Sequence, residues 1–456
     1  MLNMRLSEVA LWTQGRLHGE DAVITGVGID SRHLNDGDLF VALPGSRSDG
    51  HEHLADAASH GARAALVSRR VDAPLAQIEV ANTQTALGDL ASAVRARRNA
   101  RVIGITGSNG KTTVKTLTTS ILSRHARTHV NQGNRNNEIG LPLSVLAMPV
   151  NSQYAVFEMG AGKPGDIEYL AAIARPHVGL VNNVAPAHLE RMKTLEGIAE
   201  TKGAVYSALP ADGTAIINAD DRFAEYFASL AGKRAVLRFG MNSEADVHAS
   251  DVETTASGSH FTLHTPAGTV AVDLPLPGRH NIANALAAAA IASAVGIPLQ
   301  IIAAGLKSAE SIPGRLQVRQ MPGDWHLIDD SYNANPASLE AAIGTVASLP
   351  GEAWLVLGDM GELGSTARTQ HADAGAMARR QGVTRLWTTG ELSAEACKAF
   401  GEGGRHFDDV EALAEALSRE VHSGVNCLIK GSRAAAMERV VTALRALDHK
   451  GDSHAA

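Results

Sequence analysis

The sequence predicts an α/β protein of more than one domain, and three observations predict it. At 456 residues the chain is long enough for two or three separate cores. An apolar run, "RVIGIT" (101–106), leads through a glycine-rich loop into "TVKTLTTSILSRH", where Val114, Leu117, Ile121 and Leu122 recur at helical spacing. From about residue 312, strand, loop and helix patterns alternate: "WHLIDDSYNANPASLEAAIGTVASL", "AWLVLGDMGELG", "RLWTTGELSAEACKAF" and "NCLIKGSRAAAMERVVTALRAL". Such alternation implies a second parallel sheet.

Taken in order, residues 1–99 form a first unit. Its short apolar runs in "ITGVGIDSRHLNDGDLFVALPG" are split by D-G and P-G turn signals, and a helical "HLADAASHGA" and a strand "RAALVS" follow. A second unit covers 100–314. After the glycine loop it carries strands at "YAVFEMG" (154–160), "HVGLVNNV" (177–184) and "GTAIINA" (213–219), a hairpin at 260–274 turning on P-A-G, and an alanine-rich helix. The third unit is 315–456, with its tail "KGDSHAA" expected to fray.

Composition narrows the function. Apolar residues make up 45% and the net charge is −7, which suits a globular protein and gives no electrostatic case for nucleic acid or an anionic membrane. Two cysteines, Cys397 and Cys427, have no metal-type spacing and read as reduced thiols. The start "MLNMRLSEVALWTQGRL" carries Arg5 and Glu8 and lacks an unbroken apolar core, so it does not read as a signal peptide. "ALAAAAIASAVGI" (285–297) lies between Asn284 and Pro298, too short to span a bilayer, and reads as a buried helix. We expect a cytoplasmic monomer without membrane insertion or a nucleic-acid partner.

The loop "GITGSNGKTT" (104–113) departs from the common phosphate loop, which would place a glycine where Ile105 stands. Its strand–loop–helix setting is nevertheless that of a phosphate cradle. Gly107, Ser108, Asn109 and Gly110 let backbone N–H groups approach phosphate oxygens, and the helix start through Thr113 adds positive potential. Lys111 would reach the terminal phosphates and the Thr112 hydroxyl would bind Mg²⁺. The plain alternative is a glycine-rich turn. Glu158 ends an apolar strand, where a carboxylate can hold a second Mg²⁺ or simply face solvent. His188, in "NNVAPAHLERM", follows another strand and is either a ligand or a structural histidine.

Lys202 is more informative. In "TLEGIAETKGAVYSAL" the residues Leu195, Ile198, Lys202, Val205 and Leu209 follow 3-4-3-4 spacing, which puts the lysine on an apolar helical stripe. A buried ammonium is costly unless paired, neutralised or modified. Either the side chain snorkels, or its lowered pKa permits reaction with CO₂ to give a metal-binding carbamate. In "PGRHNIANALAAA", Asn281 and Asn284 share a face of a first helical turn and can read a purine edge or serve as helix-start residues. Arg315, in "IPGRL", sits at a domain junction, where a guanidinium could clamp a γ-phosphate or remain a surface charge.

Together "TGSNGKTT", Glu158, "AHLE" with Lys202 fourteen positions on, "GRHNIANALAA" and "PGR" resemble the ATP-dependent Mur ligases and the related folylpolyglutamate synthetases. "DSR" (30–32), "GDLFVALPG" (37–45) and "DGHEH" (49–53) look like the UDP-binding domain of the muramoyl-peptide ligases. The resemblance implies three α/β domains: an N-terminal UDP-binding domain, a central P-loop ATPase-type domain and a C-terminal Rossmann-like domain. It also implies ATP and two Mg²⁺ ions. The first ion is assigned to Thr112 and Glu158, the second to His188 and the carbamate of Lys202, with Lys111, Glu158, His188 and Lys202 as the catalytic set. Asn281 and Asn284 would hold adenine, and Arg315 with Asp330 would complete the nucleotide site on domain closure. Ser31 and Arg32 would contact the uridine diphosphate. Asn134, Asn136 and Asn137, in "NQGNRNNEIGLP", would contact the muramoyl-peptide, and Asn335 and Ser432 the amine substrate.

Within the family, "DDSYNANP" (329–336), "GDMGELG" (358–364) and "KGSR" (430–433) look like the branch that adds a dipeptide. Its substrates are UDP-N-acetylmuramoyl-tripeptide and D-alanyl-D-alanine. The Tyr-Ala-His-Thr-Pro and Asp-Asn-Pro-Arg motifs of the branch adding the third amino acid are absent. That branch remains the alternative within the class. A GTPase switch lacks its N-K-x-D motif, since the chain has no Asn-Lys dipeptide. A non-catalytic binder of UDP-sugar peptides would tolerate loss of Lys111.

Overall fold

The computed structural model describes residues 2–45, 48–186, 189–242 and 244–451. At its centre lies a six-stranded sheet, all parallel, in the order Ala235–Phe239, Thr214–Asn218, Val178–Val181, Arg101–Thr106, Tyr154–Glu158, Thr128–Val130. "RVIGIT" takes an inner position because it is apolar toward both faces: Val102, Ile103 and Ile105 are fully buried. Strands that follow it in sequence lie on both sides of it, so the order reverses there. A crevice therefore opens at the carboxyl ends of these strands. The register sets Glu158 beside Ile105 and Val181 beside Thr106, so three strand ends face that crevice together.

The phosphate-loop helix, Lys111–Ser123, and the alanine helix, Arg279–Ala294, pack against each other in one core beneath the sheet. Ala285 through Ala292 are all buried, and their small side chains let the helix sit deep. The helix Leu195–Ser207, which carries Lys202, covers the other face. The hairpin expected at 260–274 forms from Gly258–Thr265 and Gly268–Leu274. A further strand, His248–Thr255, joins it and was not anticipated, because the polar "HASDVETT" is bulged between Ser250 and Glu253 and shows no clean alternation.

The N-terminal sheet runs Arg16–His18, Ala76–Glu79, Ala64–Val67, Asp38–Val41, Gly26–Gly28. Its core is continuous with that of the central sheet: Leu87, Leu90 and Val94 of the helix Thr83–Arg95 belong to one cluster with Leu141, Val145, Ile167 and Leu170. Arg95, at the end of that helix, is buried and fastens the junction. Its guanidinium donates to the carbonyls of Ala174 (2.7 Å), Arg98 (2.9 Å), Arg175 (3.2 Å) and Ala100 (3.4 Å).

The third sheet runs Gln317–Met321, Trp325–Asp330, Val425–Lys430, Glu352–Gly358, Val383–Thr389, Gly404–Phe407, with core clusters of its own on its two faces. It is parallel except at one edge, where Gln317–Met321 pairs antiparallel with Trp325–Asp330. The short turn at "PGD" (322–324), with Gly323 and Asp324 at positive φ, reverses the chain there, and so short a link permits only an antiparallel neighbour. The final helix, Glu438–Gly451, reaches into the tail expected to fray, and residues 452–456 lie outside the described residues. Among the described residues no helix is long and apolar enough to cross a membrane.

Candidate active site

The loop after the central strand is shaped by two glycines. Gly107 has φ 150° and Gly110 has φ 77°, and Gly110 caps the phosphate-loop helix. A Cβ on Gly110 would lie 2.3 Å from Asn284 Oδ1 and 2.5 Å from Asn182 Nδ2. The loop rests on the next strand end: Ser108 N–H donates to Asn183 O (2.9 Å) and Asn109 N–H to Asn183 Oδ1 (2.8 Å). Ser108 Oγ donates to Ala185 O and accepts from Ala185 N–H. Those two loop amides are thus committed. The N–H groups of Lys111, Thr112 and Thr113 open the helix without an intrahelical acceptor, so they are the donors free for a phosphate.

Lys111 Nζ folds back on the loop, donating to Gly107 O (2.7 Å) and Ser108 O (3.3 Å). Lys202 Nζ reaches the same Gly107 carbonyl at 3.2 Å. Lys202 is 2% exposed, as its place on the apolar stripe anticipated. Burial, and then the neighbouring Lys111, push its ammonium well below the usual lysine range. Burial also lowers Lys111, which Glu158 partly opposes.

Glu158 is buried at the adjoining strand end rather than solvated on a turn. Its Oε2 accepts from Thr112 Oγ1 (3.0 Å) and lies 3.2 Å from Lys115 Nζ, while Oε1 accepts from Asn136 Nδ2 (2.8 Å). Burial raises its pKa, but Lys115, Lys111, Asn136 and Arg315 outweigh it and hold the carboxyl below its ordinary range.

The third domain closes over this crevice. Arg315 Nη2 donates to Thr112 Oγ1 (3.1 Å), and the guanidinium stacks 4.2 Å above the Tyr332 ring. Asn335 caps the helix Pro336–Ala347 through Oδ1 and donates from Nδ2 to Asn109 Oδ1 (2.7 Å). Asp330 accepts from Leu316 N–H and forms a close ion pair with the buried Lys430. Between the two domains lies a cleft of about 730 Å³, lined by Lys111, Thr112, Glu158, Asn284, Arg315 and Asp330 among others.

Most residues singled out in the sequence meet here. Ser108 through Thr113, Asn136, Asn137, Glu158, Asn281, Asn284, Arg315, Asp330 and Asn335 line this cleft. Asn281 and Asn284 are buried and partly spent: Asn281 donates to Pro277 O, Asn284 to Asn281 Oδ1, and Asn284 Oδ1 accepts from Asn182. Lys202 stands behind the loop. Asn134 is exposed outside the cleft. Ser432 hydrogen-bonds Asp359 O through its backbone, also outside it. Ser31 and Arg32 lie on the first domain, paired with Asp56 and Asp30. His188 lies outside the described residues.

Sequence reasoning missed Lys115, Asn182, Asn183, Tyr332 and Lys430. Lys115 follows Lys111 by one helical turn, which was the available signal. The repeated asparagines of "VNNVAP" at a strand end were a second.

Residues 105–292 match the Mur ligase middle domain, 314–433 the Mur ligase glutamate ligase domain, and 23–95 the Mur ligase family catalytic domain. The chain is 44% identical over 448 residues to the UDP-N-acetylmuramoyl-tripeptide–D-alanyl-D-alanine ligase of Escherichia coli (strain K12), covering 98% of this chain and 99% of that one. It superposes on a crystal structure of MurF from Acinetobacter baumannii with a TM-score of 0.92 at 34% identity, covering 97% of this chain and 99% of that one. It superposes on MurF ligase from Thermotoga maritima in complex with ADP with a TM-score of 0.83 at 29% identity, covering 93% and 98%.

Proposed function

The chain belongs to the Mur ligase family, and from that premise we infer the reaction its cleft performs. It is an ATP-dependent amide ligase that joins D-alanyl-D-alanine to UDP-N-acetylmuramoyl-tripeptide, with ADP and phosphate as the other products. The observation that carries this reading is likeness over the full length to relatives named for that ligation. The convergence of the phosphate loop, Glu158 and Arg315 on one cleft supports it.

The tripeptide's terminal carboxylate attacks the γ-phosphorus of ATP, and ADP leaves. The dipeptide amine then attacks the carbonyl carbon of the acyl phosphate, and phosphate departs as the amine gives up its proton. Little covalent chemistry falls to the protein, so positioning and charge neutralisation are its main contributions. The free N–H groups at the helix start and Lys111 receive the phosphates, which draws Lys111 off Gly107 O. Arg315 moves from Thr112 toward the γ-phosphate. The third domain over the cleft keeps water from the acyl phosphate, whose hydrolysis would waste ATP.

The Thr112 hydroxyl and the Glu158 carboxylate are hard oxygen donors 3.0 Å apart, a donor set that fits Mg²⁺ when phosphate oxygens and water complete it. Bound there, the ion supplies charge neutralisation of the transferring phosphoryl group. We assign a second site to His188 and a carbamate on Lys202. The enclosed, depressed amine of Lys202 supports this: its nitrogen can attack CO₂ and release a proton, leaving an anion next to the loop.

We place the working units at 1–99, 100–314 and 315–456, supported by the partition of the sheets. We also assign UDP contacts to Ser31 and Arg32, the muramoyl-peptide to Asn136 and Asn137, and adenine to the remaining capacity of Asn281 and Asn284. A cytoplasmic monomer is the setting we assign. Two free cysteines suit a reducing compartment.

The test is phosphate release with UDP-N-acetylmuramoyl-tripeptide and either D-alanyl-D-alanine or single amino acids. Turnover is expected with the dipeptide. No turnover with it, using diaminopimelate- or lysine-containing tripeptide, overturns the reading.

A further inference from the structure

Lys115 has no part in the reaction as described, yet it is one of the most enclosed charges in the molecule. It projects from the phosphate-loop helix one turn beyond Lys111, and its side chain is 6% exposed. Its ammonium has three partners: Glu158 Oε2 at 3.2 Å, Asn131 O at 3.1 Å and Gly133 O at 3.3 Å. Two carbonyls accept hydrogen bonds from the ammonium and the carboxylate pairs with it, so the group is held from three sides. Asn131 is held in turn, because its Oδ1 accepts from Glu158 N–H (3.0 Å) and its Nδ2 donates to Glu158 O (3.1 Å). The lysine and the strand end that carries the carboxylate are thus built as one unit.

The other cations near the carboxylate take their hydrogen bonds elsewhere. Lys111 rests on loop carbonyls that it must leave to meet a phosphate, and Arg315 touches Thr112 from the other domain. Glu158 is the carboxylate that touches the Thr112 hydroxyl, and Asp330, also on the cleft lining, is already paired with Lys430. A single carboxylate already matched by an internal ammonium offers a free divalent cation little net charge. The charge that draws the ion must come with the nucleotide phosphates.

We propose that Lys115 is a positioning residue: it serves as the resident counter-ion of Glu158, fixing the carboxylate and keeping divalent cations from binding there until the nucleotide arrives. Its benefit is order of assembly, since metal and ATP enter together. This rests on Thr112 and Glu158 being the metal ligands assigned above, but not on which amine the enzyme uses.

The test is Mn²⁺ binding to the full-length, nucleotide-free protein, followed by electron paramagnetic resonance. Lys115→Gln keeps an amide that can still reach Asn131 O without the charge, and Lys115→Met removes both. Wild-type protein is expected to show no Mn²⁺ site tighter than millimolar without nucleotide. At least one folded Lys115 variant is expected to bind Mn²⁺ roughly tenfold tighter or more. Adding Glu158→Gln to that variant is expected to abolish the gain. The proposal is overturned if no folded Lys115 variant binds Mn²⁺ better than wild type, the outcome a purely structural lysine gives. It is also overturned if wild type alone binds Mn²⁺ tightly through Glu158. Neither readout involves turnover, so a failed ligase assay and a failed Lys115 assay are separate results.

Discussion

Gly110 and Gly165 offer a matched pair for testing how the loop is held. Both cap a helix with left-handed backbone, φ 77° and 85°. Their surroundings differ. A Cβ at Gly165 meets nothing within 4 Å, whereas one at Gly110 lies 2.3 Å from Asn284 Oδ1 and 2.5 Å from Asn182 Nδ2. Alanine at either site incurs about 1–2 kcal/mol for the left-handed conformation. At Gly110 it adds about 1–3 kcal/mol of overpacking, and about 1 kcal/mol for the Asn182–Asn284 hydrogen bond it must displace. The difference between the variants is therefore about 2–4 kcal/mol. It falls on the loop conformation that binds phosphate, so ADP affinity should drop by roughly 30- to several-hundred-fold in Gly110→Ala. Gly165→Ala should stay within about threefold of wild type. Calorimetric titration of ADP with Mg²⁺ into each variant checks this. Equal affinities in the two variants would refute the claim that close packing against Asn182 and Asn284 shapes the cradle.

Other outcomes follow from the same geometry. Lys202→Ala should lose activity and regain part of it with added short-chain carboxylates, and failure of that rescue in a phosphate-release assay counts against the carbamate. Arg95→Ala strands the buried carbonyls of Ala174 and Ala100 and the part-buried ones of Arg98 and Arg175, and should lower stability by about 2–5 kcal/mol, with Arg95→Lys restoring less than half, because one ammonium cannot match the fork; an unchanged melting temperature would contradict this. Glu158 has its folded pKa held below the ordinary 4.5. Its contribution to stability is therefore present at neutral pH and lost as the pH falls through that lowered value. Melting curves of Glu158→Gln against pH should show a shallower acid limb than wild type, and identical limbs would sink the assignment.

Elements whose signals are local were readable in the sequence. The run from Arg101 to Ser123 carries apolar spacing and glycines in one short stretch, and it folds as strand, loop and helix. Lys202 was legible because burial of a helical face is a periodic property. Lys115 was not, since a lysine on a helix ordinarily faces water and its partners Asn131, Gly133 and Glu158 come from other segments. Asn335 was marked for the amine substrate, but its link to Asn109 arises from a domain contact that no local pattern encodes. The antiparallel edge strand at 317–321 was hidden for a different reason: direction within a sheet depends on turn length, which composition does not weigh.

Gly107 O, finally, ties two lysines to one acceptor. Any event that changes the charge at Lys202 alters the field in which Lys111 meets a phosphate, and the influence runs equally in reverse. By thermodynamic reciprocity, whatever factor by which nucleotide binding shifts the state of Lys202 is the factor by which that state shifts nucleotide affinity. One backbone oxygen makes the loop a junction where two binding equilibria are read against each other.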